Sequence, residues 1–518
     1  MNGTGLRLQQ MAVRLKMVAI GYWFLPAPRD EIKSRRATWL HRRPPAELRH
    51  RFEPSCASPA PSIRGTMATI SPTFARRQAA HARSFAAMLH KSRQEFLKHG
   101  EAVFGRATGF ALLANLALFP DRFPPSARTI TRAYAYRFWR PANAGEWIDI
   151  IVAALLWPLA VVASIVWLTC RHGGVVRDQF GRSRIQQCGD QFRLAFTSGL
   201  LPPWYYVFEL YRPGELKKGR AFLTRGGTKH STMKMLARAR GSASPLDDKE
   251  AFASFCAKRQ LRTLPVLFSV HCGELRGTVG ADCGFEADLF LKPVCGRGGK
   301  GAERWDYKGN GVYRSVGGQM LSAPDLIDRV RELSRFQPYL VQGRAKNHHA
   351  LRDLSNDALS TVRILTALNE EDRPEIIGAV LKMAVSNNVT TDNVHAGAIA
   401  APIDIEHGRL GQATYSGFDP RKGWIDRHPQ SGALITGRTL PLWDELRSLA
   451  LKAHSAFGDW MIVGWDIAIL EDGPTLVEGN CGADIDLVQR PLRTAFGSSR
   501  LGELMAFHLD RTEHIWRV

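Results

Sequence analysis

The segment Gly464-Trp-Asp-Ile-Ala-Ile-Leu-Glu-Asp-Gly-Pro-Thr-Leu-Val-Glu-Gly-Asn480 sets two carboxylates and an amide into two alternating strands around a turn. A three-residue hairpin loop wants a left-handed residue in its third position, and Glu471-Asp472-Gly473 supplies glycine there. That register pairs Leu470 with Pro474 and so places Asp466 directly opposite Glu478. Residues directly opposite share a face, and Asn480, two positions on, shares it too in a regular strand. Two carboxylates and an amide oxygen converging on one point make a hard-cation site, suited to magnesium bridging ATP phosphates. A two- or four-residue loop would put Asp466 and Glu478 on opposite faces. The plainer alternative is a solvated acidic hairpin, and the apolar Ile467, Ile469, Leu476 and Val477 around the carboxylates weigh against it.

A second candidate is Gly296-Arg-Gly-Gly-Lys-Gly301, which follows the strand-like Leu289-Phe-Leu-Lys-Pro-Val and spells G-x-G-x-x-G. A dinucleotide site would need a helix to begin there, whereas 302–315 reads as strand, a Gly309-Asn-Gly311 turn, then strand. A Walker A loop needs Lys-Ser or Lys-Thr after its last glycine, and Ala302-Glu303 follows instead. What remains is a glycine loop between two antiparallel strands. Its bare N–H groups can close over phosphates, with Lys292 just before it as a fixed positive charge. An ordinary glycine hairpin is the competing reading. Arg363 in Ser360-Thr-Val-Arg-Ile-Leu-Thr and Lys382 in Ala379-Val-Leu-Lys-Met-Ala each interrupt an apolar run. A charge so placed is either paired structurally or aimed at a phosphate.

The elements that must position these residues read as α+β. Short β-type runs at 266–270, 289–293, 312–315, 339–341, 361–367, 376–385 and 396–402 alternate with a helix over 324–336 and end in the hairpin. A chain of 518 residues exceeds one core, so several parts are expected. Residues 1–66 are rich in Arg, Pro, Ala and Ser without an apolar period and read as a disordered extension, the alternative being a true start at Met67 or Met88; the apolar run 17–27 resembles a signal-peptide core only superficially. Residues 67–172 read as a basic helical region with membrane-associated apolar segments, 173–245 as a lead-in subdomain and 246–518 as the catalytic domain. Within the helical region, 107–120 is apolar but too short to span. Residues 150–170 are uncharged, carry Trp147 and Trp167 near their ends, and form a candidate transmembrane helix whose alternative is a buried helix of the body.

The net charge of +22 is uneven. Residues 1–149 carry 24 Lys+Arg against 9 Asp+Glu, a net +15, while 150–518 carry 46 against 39, a net +7. A basic region beside apolar segments fits anionic lipid better than nucleic acid, and no nucleic-acid partner is expected. The eight cysteines show no C-x-x-C pair or disulfide framework, which points to a reducing compartment; Cys295 and Cys481 read as small buried apolar residues.

The order Asp248-Lys249, Leu291-Lys-Pro, glycine loop, Tyr339-Leu-Val-Gln342, Thr361-Val-Arg363, Lys382, Asp392-Asn393 through Gly397, Asp466 and Glu478-Gly-Asn480 resembles an ATP-grasp domain. More narrowly, it resembles the sugar-transfer-associated ATP-grasp family, related to α-L-glutamate ligases, from about Leu201 to Phe507. The resemblance implies two α+β subdomains gripping ATP. Lys249 and Lys292 would contact nucleotide phosphates, Gly298 and Gly299 would cover them, and Val341 with Gln342 would meet adenine. Asp466, Glu478 and Asn480 would hold Mg2+, while Arg363, Lys382 and Asn393 would steady the transferred phosphoryl group. The chain departs from the family where paired glycines are usual and Ala396-Gly397 stands.

The activity so implied is carboxylate–amine ligation through an acyl phosphate, in cell-surface or exopolysaccharide assembly. The substrates would be small or glycan-linked acids and amines, and the setting the cytoplasmic face of a membrane, reached by a single span or a shallow hairpin. A kinase-like phosphotransferase is disfavoured, because its lysine should follow the glycine loop and no H-R-D or D-F-G occurs. A non-catalytic nucleotide-binding scaffold is the third reading, against which the retained carboxylates and basic set argue.

Overall fold

The computed structural model describes residues 120–516 apart from 140–142, 229–231, 241–244, 278–284, 297, 386–389 and 459, together with Leu112 and Asn115. The expectations for the extension 1–66, the run 17–27, the part of the basic helical region before residue 107 and nearly all of 107–120 lie outside the described residues.

Helix α1 (Pro125–Trp139) is followed by α2 (Ala144–Phe180), α3 (Arg184–Ser198) and α4 (Pro202–Val207). The apolar segment at 150–170 is thus the middle of a single 37-residue helix that runs through Pro158. The sequence dictates the boundaries of α3. Ser183 and Gln186 form a capping box, with Gln186 N–H donating to Ser183 Oγ at 3.2 Å and Ser183 N–H to Gln186 Oε1 at 2.9 Å. Gly199 ends the helix in the left-handed conformation.

Short helix α5 (Met233–Arg240) and α6 (Lys249–Lys258) lead into a first sheet. Its strands are β1 (Val266–His271), β2 (Glu274–Arg276), β3 (Leu289–Pro293), β4 (Glu303–Tyr307), β5 (Val312–Ser315), β6 (Met320–Ser322) and β7 (Tyr339–Gly343), in the order β2-β1-β7-β3-β4-β5-β6. Helix α7 (Ala323–Ser334) is capped by Ser322 and presents Leu326 and Val330, one turn apart, to a core of Phe268, Leu291, Trp305, Tyr313 and Val341.

The second sheet contains β8 (Thr361–Leu368), β9 (Pro374–Met383), β10 (Ile399–Ile403), β11 (Ala413–Thr414), β12 (Trp424–Ile425), β13 (Ile462–Leu470) and β14 (Gly473–Asn480), in the order β12-β11-β10-β9-β8-β13-β14. Every neighbouring pair in both sheets is antiparallel, so the architecture is α+β and not doubly wound. Helix α8 (Trp443–Phe457) covers one face, where Val362, Ile364, Trp465 and Ile467 pack with Leu446 and Phe457. The other face carries Leu365, Ala367 and Val380. These pack on α9 (Asp486–Leu492), α10 (Arg500–Arg511) and α1, through Val488, Leu504, Met505, Ile130 and Ala133. Both faces of β8 are therefore buried, which explains its unbroken run of apolar and paired residues. A last short helix, α11 (Glu513–Trp516), follows α10.

The residues before 246 pack into this body. Gln489 on α9 donates to Leu223 O at 2.6 Å and accepts from Leu223 N–H at 3.1 Å, and Gly497 N–H donates to Ala221 O at 2.7 Å. Arg490 is buried against Glu209, Val207 O, Thr414 and Tyr415 O. A buried guanidinium with this many acceptors fixes the lead-in segment to the second sheet.

Candidate active site

The hairpin β13–β14 delivers the expected Asp466–Glu478 pairing by a different route. Leu470 faces Gly473, leaving a two-residue turn, Glu471-Asp472, where a three-residue loop was expected. A β-bulge at Val477 then restores the register: Ile467 pairs with Leu476, but Asp466 pairs with Glu478 and Gly464 with Asn480. Without the bulge, Asp466 would face Val477 and the acidic pair would separate.

The same row continues into the sheet, since Asp466 also pairs with Arg363 on β8, and Arg363 with Val380 on β9. Arg363 donates to both oxygens of Asp466, at 2.7 and 2.8 Å. Lys382, two residues beyond Val380 and therefore on the same face, lies 3.1 Å from Asp466 Oδ1 and 3.4 Å from Asp392 Oδ1. Asp392 accepts from the backbone N–H and the hydroxyl of Thr361, at 2.8 and 2.6 Å. Arg363, Lys382 and Asp466 are all buried. Burial would raise the Asp466 carboxyl, but Arg363 and Lys382 outweigh it and hold Asp466 well below the usual range. Burial opposes the charge on Arg363 and Lys382, yet their carboxylate partners raise both. Asp392 is pushed up by its own burial. Asn480 donates to Glu478 Oε1 at 3.2 Å, so its amide oxygen points away from that bond.

This charged floor lies under a cavity of about 230 Å3 between the two sheets. On the side of the first sheet the cavity is walled by Lys292 of β3 and by the loop that joins β3 to β4. Lys292 is buried and in no ion pair among the described residues; burial pulls its ammonium down to about 8, with Glu478 opposing that shift. Lys249, the first residue of α6, donates to Gly296 O at 2.9 Å and so ties the helix to the loop. Gly299 has φ +68, and a side chain there would meet Thr391 Cγ2 at 2.6 Å, so only glycine allows the loop to lie this close to the 390–393 segment. Asn393 clasps the loop from the opposite side, donating from Nδ2 to Gly298 O at 2.8 Å while its Oδ1 caps the turn at His395 N–H.

The structure thus brings Lys249, Lys292, Gly298, Gly299, Gln342, Arg363, Lys382, Asn393, Asp466, Glu478 and Asn480 around one cavity. Val341 is the exception. Its strand β7 is bonded on both edges, to β1 and β3, and its side chain is buried in the first sheet's core, so it does not line the cleft. The cleft wall there is Gln342, whose amide donates to Leu264 O at 3.0 Å, followed by Gly343, Arg344 and Ala345. Strand alternation should have shown that Val341 and Gln342 cannot both face the cleft. Asn393 sits at the seam between loop and second sheet, with both amide atoms already engaged.

Several lining residues were not anticipated. Asp392 anchors Lys382. At the far end, His395 and Asp484 line the wall 3.4 Å apart, beside the Arg225–Asp486 ion pair at 2.7 Å. Nothing in a single sequence links Arg225 to a residue 261 positions away. His348 and His349 are drawn to Glu471 at the hairpin tip, outside the cleft. Cys481 is buried as expected and donates to Asp247 Oδ1 at 3.4 Å, whereas Cys295 is exposed beside the glycine loop, where the chain leaves the sheet.

A profile of the sugar-transfer associated ATP-grasp family matches residues 232–495, half of the chain. No curated protein matches the sequence. Among solved structures, similarity extends to L-amino acid ligase from Bacillus licheniformis, at 11% identity over 46% of this chain and 40% of that one, TM-score 0.27. It extends also to N5-carboxyaminoimidazole synthase from Aspergillus clavatus, at 12% identity over 46% and 44%, TM-score 0.25. For D-alanine–D-alanine ligase from Bacillus anthracis complexed with ATP, the identity is 8% over 52% and 67%, TM-score 0.31. The chain spans about two fifths of the length of the first two.

Proposed function

Because the chain belongs to the sugar-transfer associated ATP-grasp family, with the two α+β halves of the ATP-grasp fold, we propose that it is an ATP-dependent ligase joining an acid to an amine or related nucleophile. The observation that carries this reading is the row Arg363–Asp466–Glu478 with Lys382, buried at Arg363, Asp466 and Lys382, lying under a glycine loop and facing the buried Lys292, which has no ion pair among the described residues. A buried ammonium without a carboxylate at salt-bridge distance is costly unless an anion completes it, and a polyphosphate is such an anion.

The oxygens of Asp466, Glu478 and Asn480 form a hard donor set at the cavity wall, which fits Mg2+, and these three residues would hold it. Bound there, Mg2+ supplies charge neutralisation for phosphate oxygens. Lys249, Lys292 and the N–H groups at Gly298 and Gly299 would receive the phosphates, and Gln342 with the 343–345 backbone would border the base. Arg363 and Lys382 are already fixed by carboxylates, so they can stabilise the transferred phosphoryl group without reorganising. In the first step a carboxylate oxygen of the acid bonds to the γ-phosphorus while the bond to the β,γ-bridging oxygen breaks, its electron pair leaving on ADP. In the second the amine nitrogen bonds the acyl carbon, the carbon–oxygen bond to phosphate breaks, and the nitrogen gives up a proton. Asn393, clasped to Gly298, holds the loop over the site during both.

The family's association with sugar transfer supports substrates that are small or glycan-linked acids and amines, in cell-surface or exopolysaccharide assembly. The exposed apolar side of α2 supports a site of action at the cytoplasmic face of a membrane. The test is isotopic. With pools of candidate acids labelled with 18O in the carboxylate, plus amines, Mg2+ and ATP, the released phosphate gains one 18O. Phosphate released without label from a product-forming reaction excludes the acyl phosphate.

A further inference from the structure

Helix α2 is apolar on two sides, and the fold covers only one. Ile150, Ala153, Trp157, Val161, Ile165 and Leu168 are buried. Ile148, Val152, Leu155, Leu159, Val162 and Val166, spaced alternately by four and three, form an exposed stripe opposite them; Leu155 is 69% exposed and Leu159 67%. At 1.5 Å per residue the stripe is about 27 Å long. A contiguous apolar band of this size on a surface marks an interface.

Helix α2 meets the length and composition of a membrane span. Its neighbours are incompatible with standing upright in one. Helix α3 folds back along α2 as far as Trp157, which meets Phe196 edge-on at 4.9 Å. Towards the connecting loop the seam between the two helices is polar: Gln191 donates to Thr169 at 2.9 Å and Gln187 donates to Gly173 O at 3.0 Å. An upright α2 would draw Arg193, one turn from Phe196 and exposed, towards bilayer depth, where a charged group is expensive. The part of α2 beyond Trp157, residues 144–156, is only about 20 Å long against a hydrocarbon core of about 30 Å. An in-plane helix needs none of this, because it presents one apolar side and keeps its partners on the other. Arg184 and Arg193 are exposed on α3 and have no ion pair among the described residues, which complements an anionic headgroup layer.

We infer that α2 lies in the plane of an anionic phospholipid bilayer. The 148–166 stripe enters the acyl boundary and Arg184 and Arg193 meet headgroup phosphates, so that the catalytic cleft is held at the membrane surface without a span. This rests on the membrane reading above and specifies its mode. The test uses the full chain and flotation with vesicles of phosphatidylglycerol and phosphatidylcholine, or of phosphatidylcholine alone. The wild type floats with the anionic vesicles, and Leu155→Asp/Leu159→Asp lowers the bound fraction at least tenfold with an unchanged melting temperature. On bound vesicles, a membrane-impermeant maleimide labels Asn143→Cys and Cys272 to the same extent before detergent is added. Protection of Asn143→Cys alone would establish a span and overturn the in-plane arrangement while leaving membrane association intact. Undiminished flotation of the double variant removes the stripe from the contact. Failure of the wild type to float removes both readings, and a dimer that the double variant loses would make a second copy the occupant.

Discussion

Removing the Asp466 carboxylate should cost the fold far more than removing that of Glu478, although both face the same cavity. Asp466 is held by Arg363 at 2.7 and 2.8 Å and by Lys382 at 3.1 Å, and all three side chains are buried. Asp466→Ala leaves two buried cations with Asp392, 3.4 Å from Lys382, and the more distant Glu478 and Asp484 as partial compensation. Stranding a buried charge in this way costs about 3–5 kcal/mol. Glu478 is half-buried and its hydrogen-bond partner is the neutral Asn480 amide, so Glu478→Gln should cost less than about 1 kcal/mol. Replacing both members of the pair, Arg363→Met with Asp466→Leu, should recover most of the loss, because the stranded guanidinium is gone. Asp466 is held below its ordinary range, so its contribution is present at every pH above about 4 and fades only as the pH falls through the lower folded value. The cost of Asp466→Ala should therefore be constant from pH 5 to 7. Urea unfolding of the full chain, followed by tryptophan fluorescence, measures these differences. An Asp466→Ala cost below about 1 kcal/mol, or no recovery in the double variant, would mean that the buried charge row does not exist in solution as described.

Three further outcomes follow from the same geometry. Gly299→Ala has to place a Cβ within 2.6 Å of Thr391 Cγ2 at φ +68, a strain of the folded state that should lower urea stability of the full chain by about 1–2 kcal/mol. Lys292 titrates near 8 in the free protein, and phosphate binding raises it again. Mg-ATP binding at pH 8 should therefore take up about half a proton, read from calorimetry in buffers of different ionisation enthalpy, and affinity should decline as the pH rises above 8. A chain beginning at Leu246 loses the Leu223–Gln489 and Arg225–Asp486 contacts and the Ala221–Gly497 bond, and should show no cooperative unfolding transition, whereas the full chain does.

The sequence exposed the strands with unusual fidelity where they are buried on both faces or alternate cleanly. The runs at 289–293 and 312–315 coincide with β3 and β5, and 361–367 differs from β8 by one residue. The hairpin shows both the power and the limit of register arguments. Asp466 and Glu478 do pair, but through a two-residue turn corrected by a bulge at Val477, and no local residue type distinguishes that combination from a three-residue loop without a bulge. Arg363 and Lys382 could be read as charges in apolar runs, yet their shared partner Asp466 depends on strand order, which brings residues 103 positions apart into contact. Val341 was misplaced because a motif was carried over as a pair, against the alternation of its strand. The lead-in segment looked separable because its composition shifts near 245. Its attachment by Gln489, Arg490 and Arg225 is visible only once α9 is folded against the second sheet.

The central claim is that the charged row on the second sheet and the loop of the first form one Mg-ATP site, and calorimetry of the full chain with Mg-ATP, run beside Glu478→Gln, tests it most directly. The account predicts saturable one-site binding by the wild type, with about 2.7 kcal/mol of added stability at a hundredfold excess of ligand over Kd, and binding at least tenfold weaker in Glu478→Gln at equal fold stability. Absence of binding to the folded wild type, or equal affinity in the two proteins, would contradict it.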